Sequence, residues 1–291
     1  MMTTLPLFAA LLNTAPLPPL VAQFGDIAEA AQGRVGAAVV VLESHDEPMG
    51  WLSGYSYPMQ SVYKLPIAMA VLRKVDTGDL SLEAPVRVEK SELVPKEAHS
   101  PLRDKNPNGT TLALRELVRL AIVESDGTAS DVLMRVAGGP EKVMSYLKEL
   151  GITELLVQDT EMQLATDPKA QYRNTATPAA AIKLLGALHS GPALSQKSRT
   201  LLLQDMTDST PGAARLKGAL PPGTPVAHKT GTSGTEKGVT AATNDIGVIT
   251  LPDGRHLAIA VFVADAKADQ ATRDGVIARI ARAAWDFYVK P

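Results

Sequence analysis

Residues Ser61–Leu72 of this chain read Ser-Val-Tyr-Lys-Leu-Pro-Ile-Ala-Met-Ala-Val-Leu. From Leu65 onward every residue of the run is apolar, so a helix formed here has no polar face for solvent. A helix that is apolar on all sides is a buried one. Arg73 and Lys74 follow the run, and their charges suit the negative end of a helix dipole. The run therefore predicts a buried helix that begins close to Ser61.

The residues on the C-terminal side of this run are mostly helical in pattern. Helices are predicted at Ala113–Glu124, Thr128–Val136, Pro140–Leu150, Ala179–His189 and Ser195–Thr207. Between Gly151 and Thr177 the periodicity is weak. A loop of that length inside a compact domain is usually functional.

β-rich runs lie toward both ends of the chain, each group beside one further predicted helix. The runs are Arg34–Leu42, Met49–Ser53, Pro225–Lys229, Asp245–Leu251 and Leu257–Ala264, and the outer helices are Pro19–Gln32 and Asp269–Tyr288. Strands near both termini with helices between them predict an α/β layer built from both ends, with an inserted helical domain. We expect residues 19–58 and 208–291 to form the α/β domain, and residues 59–207, with a long loop at about 156–177, to form the helical one.

The charge and composition exclude several classes of protein. The 291 residues carry 29 basic and 31 acidic side chains, a net charge of −2. Proteins that bind nucleic acid or anionic membranes usually carry a basic excess, so neither partner is expected. Apolar residues make up 45% of the chain, which suffices for a sizeable core. The chain has no cysteine, which excludes disulfides, thiolate metal sites and thiol nucleophiles.

The N-terminal residues 1–18 contain an apolar run, Leu5–Leu12, and no charged residue precedes Asp26. The run is too short to span a bilayer. It resembles the apolar part of a secretory signal but lacks the basic region that normally precedes it. A signal-like segment and a disordered tail are both compatible with this sequence, and no membrane span is expected in the rest of the chain.

Two side chains with catalytic potential, Ser61 and Lys64, stand at the start of the buried helix. Because they are three residues apart on a helix, both project from one face. A serine hydroxyl is a weak nucleophile until a base removes its proton. A lysine can be that base only if desolvation or a nearby cation lowers its pKa from about 10.4. The same spacing recurs at Ser145 and Lys148 inside an ordinary amphipathic helix, so the pair alone is weak evidence.

Two further motifs distinguish the first pair from the second. Residues 125–127 read Ser-Asp-Gly after a predicted helix, and residues 228–234 read His-Lys-Thr-Gly-Thr-Ser-Gly after a β-rich run. Alone, the first fits a helix N-cap, as we interpret Ser-Asp at residues 130–131, and the second fits a strand-to-turn junction. Their order along the chain, after the Ser-x-x-Lys pair, favours a catalytic interpretation of all three.

The set Ser-x-x-Lys, Ser-Asp-x and Lys-Thr-Gly resembles the penicillin-recognising serine enzymes, and class A β-lactamases in particular. Residues 58–66 and 241–245 fit that class closely and look most like an extended-spectrum branch of it. The resemblance extends from about Pro19 to the C-terminus. It implies an antiparallel five-stranded sheet flanked by helices, an inserted all-helical domain, and hydrolysis of the β-lactam amide of penicillins and cephalosporins.

The resemblance also implies roles for individual residues. Ser61 is the residue acylated by the β-lactam carbonyl, Lys64 relays its proton, and Ser125 passes that proton to the departing ring nitrogen. Lys229 attracts the substrate carboxylate, and the backbone amides of Ser61 and Thr232 form an oxyanion hole. The substrate-binding set is Gly127, Lys229, Thr230, Gly231, Thr232, Ser233, Arg215 and His99.

One glutamate of the long loop completes the expected machinery. Family spacing, counted back from the helix start at Thr177, selects Glu161 as the general base for the deacylating water. The other acidic residues considered are Glu154, Asp159 and Asp167. The family usually carries an arginine that binds the substrate carboxylate on the strand after Lys-Thr-Gly, where this chain has Thr240. Arg215 lies at an alternative position that some members use, and we expect it to take this role. No metal and no cofactor is expected.

Three departures from the family pattern concern the cleft. Gly127 and Ala165 stand where the family usually has asparagine, and Asp159 with Asn174 stand where it has an Arg–Asp bridge. Loss of the asparagine at residue 127 removes a hydrogen bond of about 0.5–1.5 kcal/mol and is expected to open the cleft. Loss of the bridge implies that the loop is tethered differently. Together these changes predict an enlarged cleft that admits bulky cephalosporins, with slower deacylation.

Two other functions remain open from the sequence. A D-Ala-D-Ala carboxypeptidase, a penicillin-binding protein, shares the acylation chemistry but lacks fast hydrolysis, and a non-catalytic β-lactam sensor domain has no turnover. Glu161 and the expected lack of a membrane anchor argue against the sensor. The resemblance implies a small β-lactam as the partner, a monomer, and a periplasmic or secreted location.

Overall fold

The computed structural model describes residues 17–167 and 169–289. The predicted signal-like or disordered segment falls on residues 1–18, so all of it but the last two residues lies outside the described chain. The helices are α1 (Pro19–Ala28), α2 (Lys64–Asp76), α3 (Pro101–Lys105), α4 (Leu114–Val123), α5 (Gly127–Ala137), α6 (Pro140–Glu149), α7 (Glu161–Thr166), α8 (Pro178–His189), α9 (Gln196–Thr207) and α10 (Gln270–Val289). Short 3₁₀ helices span Glu29–Ala31, Gln60–Tyr63, Lys90–Glu92 and Ala170–Tyr172.

Within the described residues, the strands form one large sheet and two small ones. They are β1 (Arg34–Val41), β2 (Met49–Trp51), β3 (Tyr57–Pro58), β4 (Pro85–Val88), β5 (Thr110–Ala113), β6 (Leu155–Leu156), β7 (Thr175–Ala176), β8 (Val226–Thr232), β9 (Thr235–Glu236), β10 (Val239–Thr250) and β11 (His256–Ala266). The large sheet has the order β2-β1-β11-β10-β8, with the two-residue β9 beside β10.

Every pairing in the large sheet is antiparallel, and the sheet joins the two ends of the chain. Arg34 of β1 pairs with Ala264 of β11, and Thr243 of β10 pairs with Thr232 of β8. The long strands β10 and β11 form a hairpin that connects these two edges. The prediction of a five-stranded antiparallel sheet flanked by helices is confirmed, with β9 as a short addition.

From Val35 onward the sequence of β1 is apolar, because both faces of the sheet are covered. Ala38 and Val40 point into the core that contains α2, whereas Ala37, Val39 and Val41 point into a second core with α1 and α10. An antiparallel sheet with one solvated face alternates apolar and polar residues instead. The lack of alternating apolar and polar residues in β1 therefore indicates a sheet packed between two layers of helices.

Helix α2 lies at the centre of the larger core, as its apolar sequence predicts. All of its residues from Lys64 to Leu72 are buried, and it contacts α4, α5, α6 and α9. The antiparallel pair of β4 and β5 and the small sheet of β3, β7 and β6 were not predicted, so the inserted residues 59–207 are not all helical as expected. Among the described residues, no helix combines the length and the apolar character needed to cross a membrane.

Candidate active site

Ser61 lies in the 3₁₀ helix that continues directly into α2. The residue before it, Gln60, has a φ of +47°, a conformation that residues other than glycine adopt rarely. Asn244 of β10 donates from Nδ2 to the carbonyl oxygens of Pro58, at 2.8 Å, and Met59, at 3.1 Å. The sheet thus holds the turn that presents the serine at the N-terminus of a buried helix.

Gly231, the glycine of Lys-Thr-Gly, lies where β8 passes the turn that carries the serine. A Cβ atom at this residue would overlap the backbone carbonyl oxygen of Met59, which cannot move away as a flexible side chain could. Met59 is itself held by Asn244. The glycine is therefore required by a close approach of two backbones.

Gly231→Ala is expected to push β8 away from the serine, lowering the free energy of unfolding by about 1–3 kcal/mol and reducing kcat/KM. Gly275→Ala in α10 is the matched control, because a Cβ there meets open space and alanine favours a helix. Urea unfolding and steady-state kinetics of both variants test this. Equal stability of the two variants would show that β8 relaxes without cost.

Lys64 and Glu161 form an ion pair beside the serine. The Lys64 side chain is only 2% exposed, and its Nζ lies 2.9 Å from Glu161 Oε1. The same Nζ donates to the Ser125 carbonyl oxygen at 2.6 Å. Among the described residues, Lys64 Nζ makes its hydrogen bonds with Glu161 and with the Ser125 carbonyl oxygen, and not with the Ser61 hydroxyl. The structure therefore brings together Lys64, Ser125 and Glu161, from α2, the α4–α5 junction and the long loop.

Lys229 of β8 approaches the same cluster from the sheet. It is fully buried, and its Nζ donates to Ser125 Oγ at 2.9 Å and to the Thr230 carbonyl oxygen at 3.2 Å. Burial lowers the pKa of the Lys229 amine well below its usual value, and the nearby positive charge of Lys64 lowers it further. The Ser125 hydroxyl is thus held by a lysine whose charged form is disfavoured.

Ser125 does not cap a helix, which was the alternative interpretation of its motif. Asp126 is the N-cap of α5, and its carboxylate accepts from the Ala129 amide at 2.8 Å and from the Leu102 amide at 2.7 Å. Ser125 itself has a φ of +58°, a rare conformation for a residue with a side chain. The backbone is turned at this residue so that the Ser125 hydroxyl meets Lys229.

Glu161 is the first residue of α7, and Asp131, which the sequence analysis interpreted as part of a helix cap, helps to hold it there. The Asp131 carboxylate accepts from the Glu161 amide at 2.7 Å and from the Met162 amide at 2.9 Å. Thr160 is the N-cap of this helix. The interpretation of Ser-Asp at residues 130–131 as a helix cap is wrong, because both residues lie inside α5. The sequence signal that could have identified Asp131 is an aspartate on the buried face of a predicted helix, because a buried aspartate nearly always has a partner.

Burial raises the pKa of Asp131 to about 7, although hydrogen bonds from the amides of Met162 and Glu161 favour the ionised carboxylate. In an unfolded chain an aspartate has a pKa of about 3.9. Between about pH 4 and pH 7 the folded protein therefore binds an extra proton, and its stability falls as the pH rises through this window. Within the window, the free energy of unfolding falls by at most about 1.4 kcal/mol for each pH unit.

Asp131→Asn is expected to remove this pH dependence, since the amide does not titrate. The free energy of urea unfolding, measured from about pH 4 to pH 8, should fall more steeply with pH in the wild-type protein than in the variant. The amide also accepts hydrogen bonds at one atom only, so the variant is expected to hold the Glu161 turn less firmly. Parallel stability profiles would contradict the assignment of a pKa near 7 to this residue.

The long loop is tethered by an arginine next to the position expected from the family. Arg173 Nε donates to Asp159 Oδ2 at 2.6 Å, and its Nη1 donates to Asp167 Oδ2 at 2.8 Å. Asn174 Oδ1 accepts from the Gln158 and Asp159 amides. The prediction of a different tether is confirmed, but the loop does retain an Arg–Asp bridge. Loss of that bridge therefore no longer supports an enlarged cleft.

Gly127 does not open the cleft, contrary to the expectation from its missing side chain. A Cβ there would lie 3.1 Å from the His99 carbonyl oxygen and 3.2 Å from Glu161 Cγ. The Gly127 amide donates to the same His99 oxygen at 2.9 Å. The glycine leaves room for the Glu161 side chain and for the chain at His99, so the space is already filled by the protein.

Arg215 lies behind β8 and is only 4% exposed. Its Nε pairs with Asp274 Oδ1 at 2.7 Å, and its Nη1 donates to the Asn244 carbonyl oxygen at 2.9 Å. Its Nη2 donates to Thr232 Oγ1 at 2.8 Å. The guanidinium therefore contacts the cleft only indirectly, by its hydrogen bond to the hydroxyl of Thr232, an exposed residue that lines the cleft.

These residues surround one cleft of about 490 Å³, a volume typical of small-molecule sites. Its walls include Gln60, Ser61, Lys64, His99, Ser125, Glu161, Ala165, Gln171, Thr230, Thr232 and Ser233. His99 contributes an exposed ring whose Nε2 lies 2.9 Å from the Glu124 carbonyl oxygen. The cleft combines a serine at a helix start, two buried lysines and a carboxylate, which is the equipment for acyl transfer followed by hydrolysis.

Comparison with known proteins agrees with this chemistry. A model described as the β-lactamase enzyme family matches residues 19–288. Beta-lactamase VEB-1 of Pseudomonas aeruginosa is 37% identical over 97% of this chain and 94% of its own length. Extended-spectrum beta-lactamase PER-1 of the same organism is 37% identical over 97% of this chain and 92% of its own. The crystal structure of a beta-lactamase from Chitinophaga pinensis DSM 2588 superposes with a TM-score of 0.90 at 44% identity, covering 93% of this chain and all of that one.

Proposed function

Because this chain belongs to the β-lactamase enzyme family, as a class A serine enzyme, we propose that it hydrolyses β-lactams through an acyl-enzyme on Ser61. The observation that carries the proposal is the ion pair of the buried Lys64 with Glu161, 2.9 Å apart and one helical turn from the serine. A nucleophile for acylation and a carboxylate for hydrolysis thereby share one site.

Acylation uses the serine, the lysines and Ser125. The Ser61 oxygen attacks the β-lactam carbonyl, and Lys64 relays the serine proton. Ser125 delivers a proton to the departing ring nitrogen, and the hydrogen bond that its hydroxyl accepts from Lys229 at 2.9 Å supports this role. The amides of Ser61 and Thr232 stabilise the oxyanion, and a single donor of this kind is worth about 10²–10³ in rate.

Deacylation uses Glu161. Its carboxylate faces the cleft and accepts a proton from the water that attacks the acyl-enzyme. Asp131 and the cap at Thr160 fix the start of α7 and so aim this carboxylate. A carboxypeptidase or a sensor needs no such group, so Glu161 beside Lys64 favours the lactamase over both.

The substrate carboxylate binds at the edge of β8. Thr230, Thr232 and Ser233 line this side of the cleft, and the Lys229 amine lies behind them, where a bound carboxylate would favour its charged form. Arg215 acts here as a positioning residue, because its guanidinium donates to Thr232 Oγ1. His99 lines the cleft wall, and the two glycines, Gly127 and Gly231, leave room for Glu161 and for the Met59 backbone.

We propose further that oxyimino-cephalosporins are among the substrates. The support is the small side chain of Ala165 in the cleft wall, together with relatives named as extended-spectrum enzymes. Ala165→Asn is expected to lower kcat/KM for an oxyimino-cephalosporin by about tenfold relative to benzylpenicillin, because the added side chain narrows the cleft. Steady-state kinetics of both proteins test this. A strong preference of the wild-type enzyme for small penicillins would overturn the assignment.

We also propose a domain organisation, an oligomeric state and a cellular location for the enzyme. Residues 19–58 and 208–291 would act as one unit and 59–207 as another, and the cleft draws residues from both. We propose that the enzyme works as a monomer in the periplasm or after secretion, where β-lactams meet their targets. Cell fractionation with an activity assay, and sedimentation of the purified protein, test these two statements.

A further inference from the structure

Three side chains with metal-binding groups meet on the surface outside the cleft. One ligand atom each from Glu43, His189 and His256 lies within 4.8 Å of the other two. His256 Nδ1 lies 2.6 Å from Glu43 Oε1, and the rings of the two histidines have their centroids 4.3 Å apart. None of these three residues lines the cleft that contains Ser61.

The backbone of the sheet holds two of the three groups in place. The Leu42 amide donates to the His256 carbonyl oxygen at 2.8 Å, which aligns the end of β1 with the start of β11. The His256 amide donates in turn to Glu43 Oε2 at 2.9 Å. The Glu43 carboxylate is therefore positioned by a backbone contact as well as by the His256 ring.

His189 brings the third group from another layer of the fold. It is the last residue of α8, and its Nδ1 is buried without a hydrogen-bond partner among the described residues. Buried polar atoms of native proteins are nearly always paired. The His189 Nδ1 is therefore available as a ligand atom, beside Arg199, whose guanidinium donates to the His189 carbonyl oxygen at 2.9 Å.

The ligand set fits a divalent transition metal. Imidazole nitrogens and a carboxylate oxygen are ordinary Zn²⁺ ligands, with bonds of about 2.0–2.2 Å. Ligand atoms around a tetrahedral zinc ion are then about 3.3 Å apart. The separations here run from 2.6 Å for the hydrogen-bonded pair to at most 4.8 Å, so small side-chain rotations suffice.

We propose that Glu43, His189 and His256 form a Zn²⁺ site, with water at the fourth position. The ion links the end of α8 to the corner where β1 and β11 meet. Because the three ligands are far apart in sequence, the unfolded chain does not present the site, and Zn²⁺ stabilises the folded state. The site is independent of β-lactam hydrolysis.

Isothermal titration of the metal-free protein with Zn²⁺ tests the proposal. We expect one ion per chain and a rise in Tm. His256→Ala and Glu43→Gln should each weaken binding by at least about 100-fold, because each removes a direct ligand. Glu43→Gln keeps the size of the side chain, and circular dichroism verifies that each variant is folded.

His45→Ala is the matched control, since this exposed histidine lies on the same loop but outside the cluster. It should bind Zn²⁺ as the wild-type protein does. Visible absorption of the Co²⁺-substituted protein should show tetrahedral bands that His189→Ala loses. The proposal is overturned if the wild-type protein shows no saturable binding, or if variants of the three cluster residues bind Zn²⁺ as tightly as His45→Ala.

Discussion

Ser61→Ala is expected to abolish hydrolysis of a chromogenic cephalosporin, with kcat lowered by about 10⁶, as for loss of a serine nucleophile in other hydrolases. The change removes the only atom to which we assign attack on the β-lactam. The cleft otherwise keeps its charges, since the Lys64–Glu161 pair and the Lys229–Ser125 contact do not involve the Ser61 hydroxyl.

Ser145→Ala provides a matched control for this experiment. Ser145 precedes Lys148 by the same three residues in α6, and neither residue lines the cleft that contains Ser61. The control should hydrolyse the substrate at the wild-type rate. Substantial turnover by Ser61→Ala would remove this serine from the mechanism, whereas loss of activity in both variants would indicate a general effect on folding.

Glu161→Gln is expected to lower kcat by about 10²–10⁴ through loss of the general base, while acylation of Ser61 continues. The amide keeps the size of the side chain but accepts no proton from water. Pre-steady-state kinetics should therefore show a burst close to one product per enzyme, followed by slow turnover.

Glu154→Gln is the control for this change, because Glu154 is an exposed acidic residue on the same segment and does not line the cleft. It should turn over normally. Unfolding of Glu161→Gln should also be measured, since the variant leaves the buried Lys64 without its carboxylate partner, and such a loss destabilises a protein. Comparable turnover by the two glutamine variants would show that another group activates the water.

Much of the fold was predictable because it depends on local patterns of apolar residues. The run Leu65–Leu72 predicts a helix with no solvent face, and the structure buries all of it. The apolar run of β1 predicts a strand, and its lack of alternation agrees with helices on both faces. The antiparallel pair of β4 and β5 was missed, since these strands are short and mostly not buried.

The motifs predicted which ionisable residues meet at the cleft, but not which other residues hold them in place. Asp131 contacts the Glu161 amide across 30 positions of sequence, and no local pattern reports such a contact. Arg173 replaces a family bridge from the neighbouring position, which a position-by-position comparison misses. The first contact depends on how the long loop packs against α5, and the second on how the loop folds back on itself.

Gly127 is another residue whose surroundings could not be predicted from the sequence. A missing side chain suggests empty space, yet the volume beside this glycine is occupied by Glu161 and by the backbone at His99. From the sequence, Arg215 was expected to offer its charge to the substrate, but the structure buries it and pairs it with Asp274. The sequence names the residue in each case, whereas the packing of neighbouring elements determines what it does.

Intact-mass spectrometry of the protein mixed with a penicillin tests the central claim most directly. We predict that wild-type protein returns to its free mass within the time needed to consume the substrate. Glu161→Gln should instead accumulate one covalent penicilloyl group, mapped by proteolysis to Ser61. A long-lived adduct on the wild-type protein would identify a penicillin-binding protein, and an adduct on any residue other than Ser61, or none on either protein, would contradict the account.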